Sequence, residues 1–321
     1  MTQNTSIADT GAQILAAVRT VVVGMDDPVE IALATVLAGG HVLFEDVPGL
    51  GKTLAARSLA SALGLGFRRL QCTPDMLPGD VTGSYVYAPD SGEFVFRPGP
   101  IFTGLLLADE INRTTPKTQS AMLEAMAEGQ VTVEGNSFPL PAPFHVIATS
   151  NPIEYEGTYA LPEAQLDRFM VRLAVGYPEA DGEAQILLNR MERRQEAAHV
   201  APVIDAQRLV ELQQAVEAIH VHPDIARYCV EITRETRRAQ NVAVGASPRG
   251  SLGLLLLGRA LAALDGRDFV RPDDIKRIAV PVLAHRLTLT PQAWAQGISA
   301  DQIVAGVVGR VAVPPTVGAP A

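Results

Sequence analysis

Apolar residues follow two different rhythms along this chain. Ile14, Leu15, Val18 and Val21 recur at helical spacing, so 7–22 is predicted to be an amphipathic helix. A second helical stretch covers 28–37 and stops at Gly39 and Gly40. The run HVLFE at 41–45 is short, apolar and continuous, which reads as a strand. It leads straight into the Gly-rich segment EDVPGLGKT (45–53), and an Ala-rich helix follows over 53–63, closed by Gly64. Further strands are predicted at 67–72, at 105–108 and at 145–149 (HVIAT). Two hairpins are predicted. In 85–96, YVY and FVF flank a turn at Pro89-Asp90-Ser91-Gly92, and 131–140 turns at Gly135 and Asn136. Between them, Thr115 can cap a helix that opens with Pro116 and ends at Gly129.

Strands alternating with helices predict an α/β domain built on a parallel sheet. The texture changes after Pro178: from 182 to 287 helical periodicity dominates and strand signals almost vanish. A boundary near 177–181 divides the chain into an α/β core at 1–180, a smaller all-α domain at 181–313 and a frayed tail at 314–321.

Composition refines this picture. The chain has 321 residues, 47% hydrophobic and 19% charged, which describes a folded protein with a sizeable core. Its net charge of −9 argues weakly against a nucleic-acid partner. Cys72 and Cys229 show neither metal spacing nor a disulfide framework, so reduced thiols are expected. The first residues lack the basic start and apolar core of a signal peptide. The longest apolar run, 252–264, is interrupted by Arg259 and is too short to cross a bilayer. A cytoplasmic protein with no membrane insertion is expected.

The Gly-rich segment carries the first chemistry. Gly49 and Gly51 let backbone N–H groups, including those around Leu50, approach phosphate oxygens, and the following helix adds its dipole. Lys52 would reach the terminal phosphates of a nucleotide, and the Thr53 hydroxyl would ligate Mg²⁺. Asp46 stands where the usual pattern has its first Gly. The second motif is LLLADE (105–110), an apolar strand ending in two carboxylates at the edge where parallel sheets bind ligands. Asp109 would hold Mg²⁺ through water, and Glu110 would polarise the attacking water. Asn151 closes the strand HVIATSN; it is either a turn former before Pro152 or an amide aimed at the γ-phosphate. Arg168, in LPEAQLDRF, is either a local partner of Asp167 or a cation for transition-state charge. Arg249, in SPRG, reads on the residues alone as an ordinary surface arginine.

The order EDVPGLGKT, LLLADE, TSN, LDRF, SPRG resembles AAA+ ATPases. The longer strings GGHVLFEDVPGLGKT, TPDMLPGD, FVFRPGPIF, ADEINR, PKTQSAMLEAM and LPEAQLDRF resemble the MoxR family, from about 23 to 286. The resemblance implies a P-loop AAA+ core followed by a helical lid, with ATP and Mg²⁺ as cofactors. It assigns Gly49, Leu50, Gly51, Lys52 and Thr53 to Walker A, Asp109 and Glu110 to Walker B, and Asn151 to sensor 1. Arg168 matches the arginine finger that acts on a neighbouring subunit's ATP. Arg249 matches sensor 2 and would close the lid on the γ-phosphate. Val22 and Val23 look like the adenine contact. The two hairpins look like the helix-2 insert and the pre-sensor-1 hairpin, facing a ring pore or a partner. Asp46 is expected to face away from phosphate. A homo-oligomeric ring, commonly a hexamer, follows, with chaperone-like remodelling, maturation or metal insertion as its work. A separate von Willebrand factor A protein and a client protein would be its partners. Related readings are a nucleic-acid motor, an ATP-loaded scaffold and the ATPase subunit of a metal chelatase.

Other signals are weaker. His220 and His222 form an H-V-H pair without a third ligand at metal spacing. The arginines at 190, 193 and 194, and at 234, 237 and 238, read as solvated helix faces. Trp294 is the single tryptophan, so no stacking platform for bases is expected.

Overall fold

A computed structural model describes residues 2–151, 158–195 and 198–315. Two helices come first, α1 (Thr2–Arg19) and α2 (Asp26–Leu37), where helical periodicity predicts them. The strands β1 (Val42–Glu45), helix α3 (Lys52–Ala62) and strand β2 (Phe67–Gln71) then form the first half of an α/β layer. A short helix α4 (Pro78–Thr82) leads into the hairpin β3 (Gly83–Ala88) and β4 (Glu93–Pro98). Next come β5 (Leu105–Asp109), α5 (Pro116–Glu128), the hairpin β6 (Gln130–Val133) and β7 (Asn136–Pro139), and β8 (His145–Ser150). A turn of helix α6 (Glu163–Leu166) and the strand β9 (Val171–Leu173) complete the core.

The sheet runs in the order β2-β5-β8-β1-β9, and every pairing is parallel. β5 and β8 are buried along their whole length, which is why they read as continuous apolar runs rather than as alternating ones. All parallel strands point the same way, so the residues after β1, β5 and β8 meet at one edge. Those residues are the segments EDVPGLGKT, DE and SN.

The remaining helices are α7 (Ala180–Arg193), α8 (Ala206–Glu217), α9 (Pro223–Arg238), α10 (Pro248–Leu264), α11 (Pro272–Leu283), α12 (Pro291–Ala295) and α13 (Ala300–Arg310). A two-stranded ribbon of β10 (Val242–Val244) and β11 (Thr288–Leu289) lies among them. This part of the chain is almost wholly helical. α10 packs against α1 and α2, and one continuous apolar cluster runs from Leu33 and Phe44 in the core to Leu257 and Ile278 in these helices. His222 caps α9 by accepting from the Asp224 N–H, and His220 pairs through its backbone with Phe269. The tail expected from 314 onward lies outside the described residues after 315.

The two hairpins, separate in the sequence, form one aromatic unit. Phe96 and Phe138 stack with ring centroids 3.9 Å apart, and Asn136 Nδ2 donates to the Tyr85 hydroxyl at 2.9 Å. Tyr87 and Phe94 are left exposed on the first hairpin.

Candidate active site

The loop between β1 and α3 is shaped by two glycines. Gly49 and Gly51 sit at φ +86° and +81°, a region that side chains avoid, and a Cβ on Gly49 would meet nothing within 4 Å. The loop is therefore open to solvent beside Gly49. Lys52 is buried, and its Nζ donates to the Asp46 and Val47 carbonyls at 2.6 and 2.8 Å. Burial pulls its pKa below the ordinary value, while Asp46, Asp109 and Glu110 act in the other direction.

Asp46 points out of the loop. Its Oδ2 accepts from the Val175 and Gly176 N–H groups at 2.7 Å each, and its Oδ1 from the Val47 N–H at 2.7 Å. Burial alone would raise its pKa. The three backbone N–H groups and nearby Lys52 outweigh that effect and lower it. The residue that breaks the usual glycine pattern thus ties the phosphate loop to the segment entering α7.

Asp109 and Glu110 end β5 beside this loop. The Thr53 hydroxyl lies 3.3 Å from Asp109 Oδ2, and Thr149 on β8 donates to Oδ1 at 2.6 Å. Glu110 has φ 59° and ψ 50°, a left-handed conformation that costs a non-glycine residue about 1–3 kcal/mol. Its N–H is held by the Thr149 hydroxyl at 2.8 Å, and its carboxylate by Gln71 Nε2 at 3.0 Å and by Arg113 at 3.3 Å. Those contacts hold the Glu110 carboxylate on the β2 side of β5. Asn151 is buried directly after β8, on the neighbouring strand, with Asn112 Nδ2 donating to its carbonyl at 3.2 Å. Thr53 Oγ1 and Asp109 Oδ2 converge as hard oxygen donors, a set that suits Mg²⁺.

A cavity of about 560 Å³ opens from the loop. Val22, Val23, Gly49, Leu50 and Gly51 line one side, and Tyr177, Ile186, Leu187 and Arg190 the other. Val22 and Val23 are therefore brought to the phosphate loop as the sequence reading expects. The α7 wall was not anticipated, although the run YPEADGEAQIL carries its residues.

Arg168 and Arg249 are not part of this constellation. Both line a second cleft with Gly39, Gly40 and His41, which precede β1, whereas the phosphate loop follows β1. Four strand residues separate the two ends, a span of roughly 13 Å. Arg249, expected to close the lid on a γ-phosphate, thus lies in this cleft and not beside its own phosphate loop. α10 begins beside the arginine loop because Asp167 holds it there. Asp167 accepts from the Ser247 hydroxyl, the cap of α10, at 3.1 Å, and from Arg286 Nε at 2.7 Å, with Arg249 3.9 Å away. Arg286 is 4% exposed and also donates to the Asp167, Phe169 and Met170 carbonyls. Arg168 donates to the Leu123 carbonyl, and its buried Nε has no partner.

Residues the sequence reading missed are Arg69, Gln71, Arg113 and Thr149. Arg69 and Gln71 share one face of the edge strand β2 by strand alternation, and their polar character beside the end of β5 was the available signal.

A glycine-shaped phosphate loop, with a carboxylate pair at the end of a nearby parallel strand, defines a P-loop nucleotide-binding fold of the AAA type. Residues 41–171 match the model of the ATPase family associated with various cellular activities, and 234–307 match the AAA lid domain. The chain is 48% identical over 297 residues to the uncharacterized protein YeaC of Bacillus subtilis, covering 92% of each. It is 42% identical over 306 residues to chaperone MoxR1 of Mycobacterium tuberculosis, covering 92% of this chain and 80% of that one. The crystal structure of a putative ATPase from Cytophaga hutchinsonii superposes with TM-score 0.90 at 35% identity, over 98% of this chain and 97% of that one. The chain belongs to the MoxR family of AAA+ ATPases. No helix among the described residues is long and apolar enough to cross a membrane.

Proposed function

We propose that this protein hydrolyses ATP at sites shared between neighbouring copies of itself and uses the energy to remodel a partner protein. The observation that carries the reading is the meeting of Thr53 with Asp109 beside the open glycine loop. The loop N–H groups and Lys52 hold the phosphates, with Lys52 exchanging the Asp46 and Val47 carbonyls for phosphate oxygens. Thr53 and Asp109 would hold Mg²⁺, which would neutralise phosphate charge. Glu110 takes the proton of the attacking water, and Asn151 orients that water or the γ-phosphate. The adenine sits against Val22, Val23 and the α7 wall.

Arg168 and Arg249 serve the neighbouring protomer. Their common cleft, at the far end of β1 from their own phosphate loop, supports a trans role for both. That arrangement calls for a closed homo-oligomeric ring, and a hexamer is our reading. Exposed Leu188 and Met191 on α7 support burial of this surface in an assembly. The aromatic hairpins would face the pore or the client. A separate von Willebrand factor A protein is the proposed partner, in the cytoplasm.

Turnover of ATP by the wild type, Lys52→Ala and Glu110→Gln tests the reading. We expect each variant to lose at least about 100-fold in kcat. A wild type no faster than either variant removes the enzymatic claim.

A further inference from the structure

Arg69 belongs to no part of the mechanism above, yet it makes the closest contact with Asp109 among the charged groups. It leaves β2, the edge strand, and reaches diagonally to the end of β5. Its Nε and Nη2 donate to one carboxylate oxygen, Oδ2, at 3.0 and 2.6 Å. The Thr53 hydroxyl meets that same oxygen at 3.3 Å. The other oxygen, Oδ1, is committed to Thr149 at 2.6 Å. Asp109 therefore has one oxygen fixed to β8 and one on which the guanidinium and the metal-ligating hydroxyl converge.

The guanidinium does not deprotonate, so it is a permanent positive charge at this point. The Arg69 side chain is 50% exposed, which leaves it room to swing outward. It is also linked to the second carboxylate. Arg69 Nη2 donates to Gln71 Oε1 at 2.7 Å, and Gln71 Nε2 donates to Glu110 Oε2 at 3.0 Å.

We propose that Arg69 is a built-in cation that competes with the divalent metal for Asp109 Oδ2. The proposal rests on the nucleotide–metal reading of the site. A metal held by Thr53 draws on the same oxygen, directly or through its water, and repels the guanidinium across it. Arrival of metal moves Arg69 outward. That movement frees Gln71 Oε1 and loosens the hold of Gln71 on Glu110. Metal binding is in this way linked to the release of the residue that activates water. If Arg69 merely braced Asp109, its loss would loosen the carboxylate and weaken metal binding. The two roles predict opposite signs.

Mn²⁺ binding in the presence of saturating ADP, followed by the loss of the free-ion paramagnetic signal, separates them. Wild type, Arg69→Gln and Arg69→Lys are compared, and metal-free binding of a fluorescent ADP analogue reports that each variant is folded. We expect Arg69→Gln to tighten Mn²⁺ at least about fivefold, within the usual range of coupling between sites. Arg69→Lys should fall between, since an ammonium keeps the charge but lacks the two-pronged contact. An Mn²⁺ affinity in Arg69→Gln equal to or weaker than wild type overturns the proposal. Should Arg69→Gln fail to bind metal-free analogue, the sign of the change in Arg69→Lys decides in the same way. A wild type that takes up no Mn²⁺ with ADP overturns the nucleotide–metal reading itself, and the proposal with it.

Discussion

Asp46 replaces a glycine that phosphate loops commonly carry, and its side chain turns the substitution into a tether. Three backbone N–H groups converge on it, two of them from 175–176. Hydrogen bonds to a charged group are worth about 1.5–3 kcal/mol each at most, so Asp46→Ala should cost roughly 1–3 kcal/mol of stability, measurable by urea unfolding. Because the folded pKa of Asp46 is lowered, this contribution is present above the ordinary carboxylate range and is lost as pH falls through the folded value. The difference between wild type and Asp46→Ala should be flat near neutrality and shrink in acid. A difference that grows in acid contradicts the assignment. Cys72 offers a second check at this scale. Burial, then the nearby Asp109 and Glu110 charges, push its thiol up to about 12, and burial raises buried Cys229 to about 12 as well. Only thiolate reacts, so alkylation at pH 8 should be roughly a thousandfold slower in the native protein than after denaturation. Rapid native labelling of Cys72 would mean that the site edge opens readily. The sequence announced the chemistry of Lys52, Thr53, Asp109 and Glu110, because those residue types sit at fixed offsets from apolar strands. It could not place the Asp46 side chain, two of whose three partners lie about 129 positions away.

Among elements, β1, β5 and β8 were legible because burial on both faces leaves continuous apolar runs. β9 was not: it is three residues long, and its centre is Arg172, which pairs with Glu45 at 2.7 Å and Asp301 at 2.9 Å. Nothing local distinguishes such a strand from a loop. The hairpins were legible one by one from their turns, but the Phe96–Phe138 stack that joins them is a tertiary contact. The clasp between the arginine loop and α10 is the element-level feature with the largest energetic stake. Arg286 is nearly fully buried against Asp167, so removing one partner leaves an uncompensated charge. Asp167→Ala should lose about 3–5 kcal/mol of stability in denaturant titration. A loss below 1 kcal/mol would mean that the lid start is held elsewhere.

At the scale of the whole molecule, the phosphate loop and the arginine cleft do not meet. The phosphate loop and its carboxylates lie at one end of β1, and Arg168 and Arg249 lie at the other. The family resemblance implied a lid that brings Arg249 to a γ-phosphate without saying whose. The packing of α10 on α1, α2 and the Asp167 clasp, which no local pattern encodes, carries Arg249 away from its own phosphate loop. The account therefore stands on completion of each site by a neighbour. Mixing two inactive variants tests it most directly. Lys52→Ala keeps its arginines but lacks a working phosphate site; Arg168→Ala keeps the phosphate site but lacks the finger, a loss worth at least about 10³ in kcat. In an equimolar mixed ring, roughly one interface in four unites an intact phosphate site with an intact Arg168. ATP turnover should return in the mixture to about a quarter of the wild-type rate, while each variant alone stays near zero. A mixture as inactive as its components, with both variants shown to co-assemble, would contradict it.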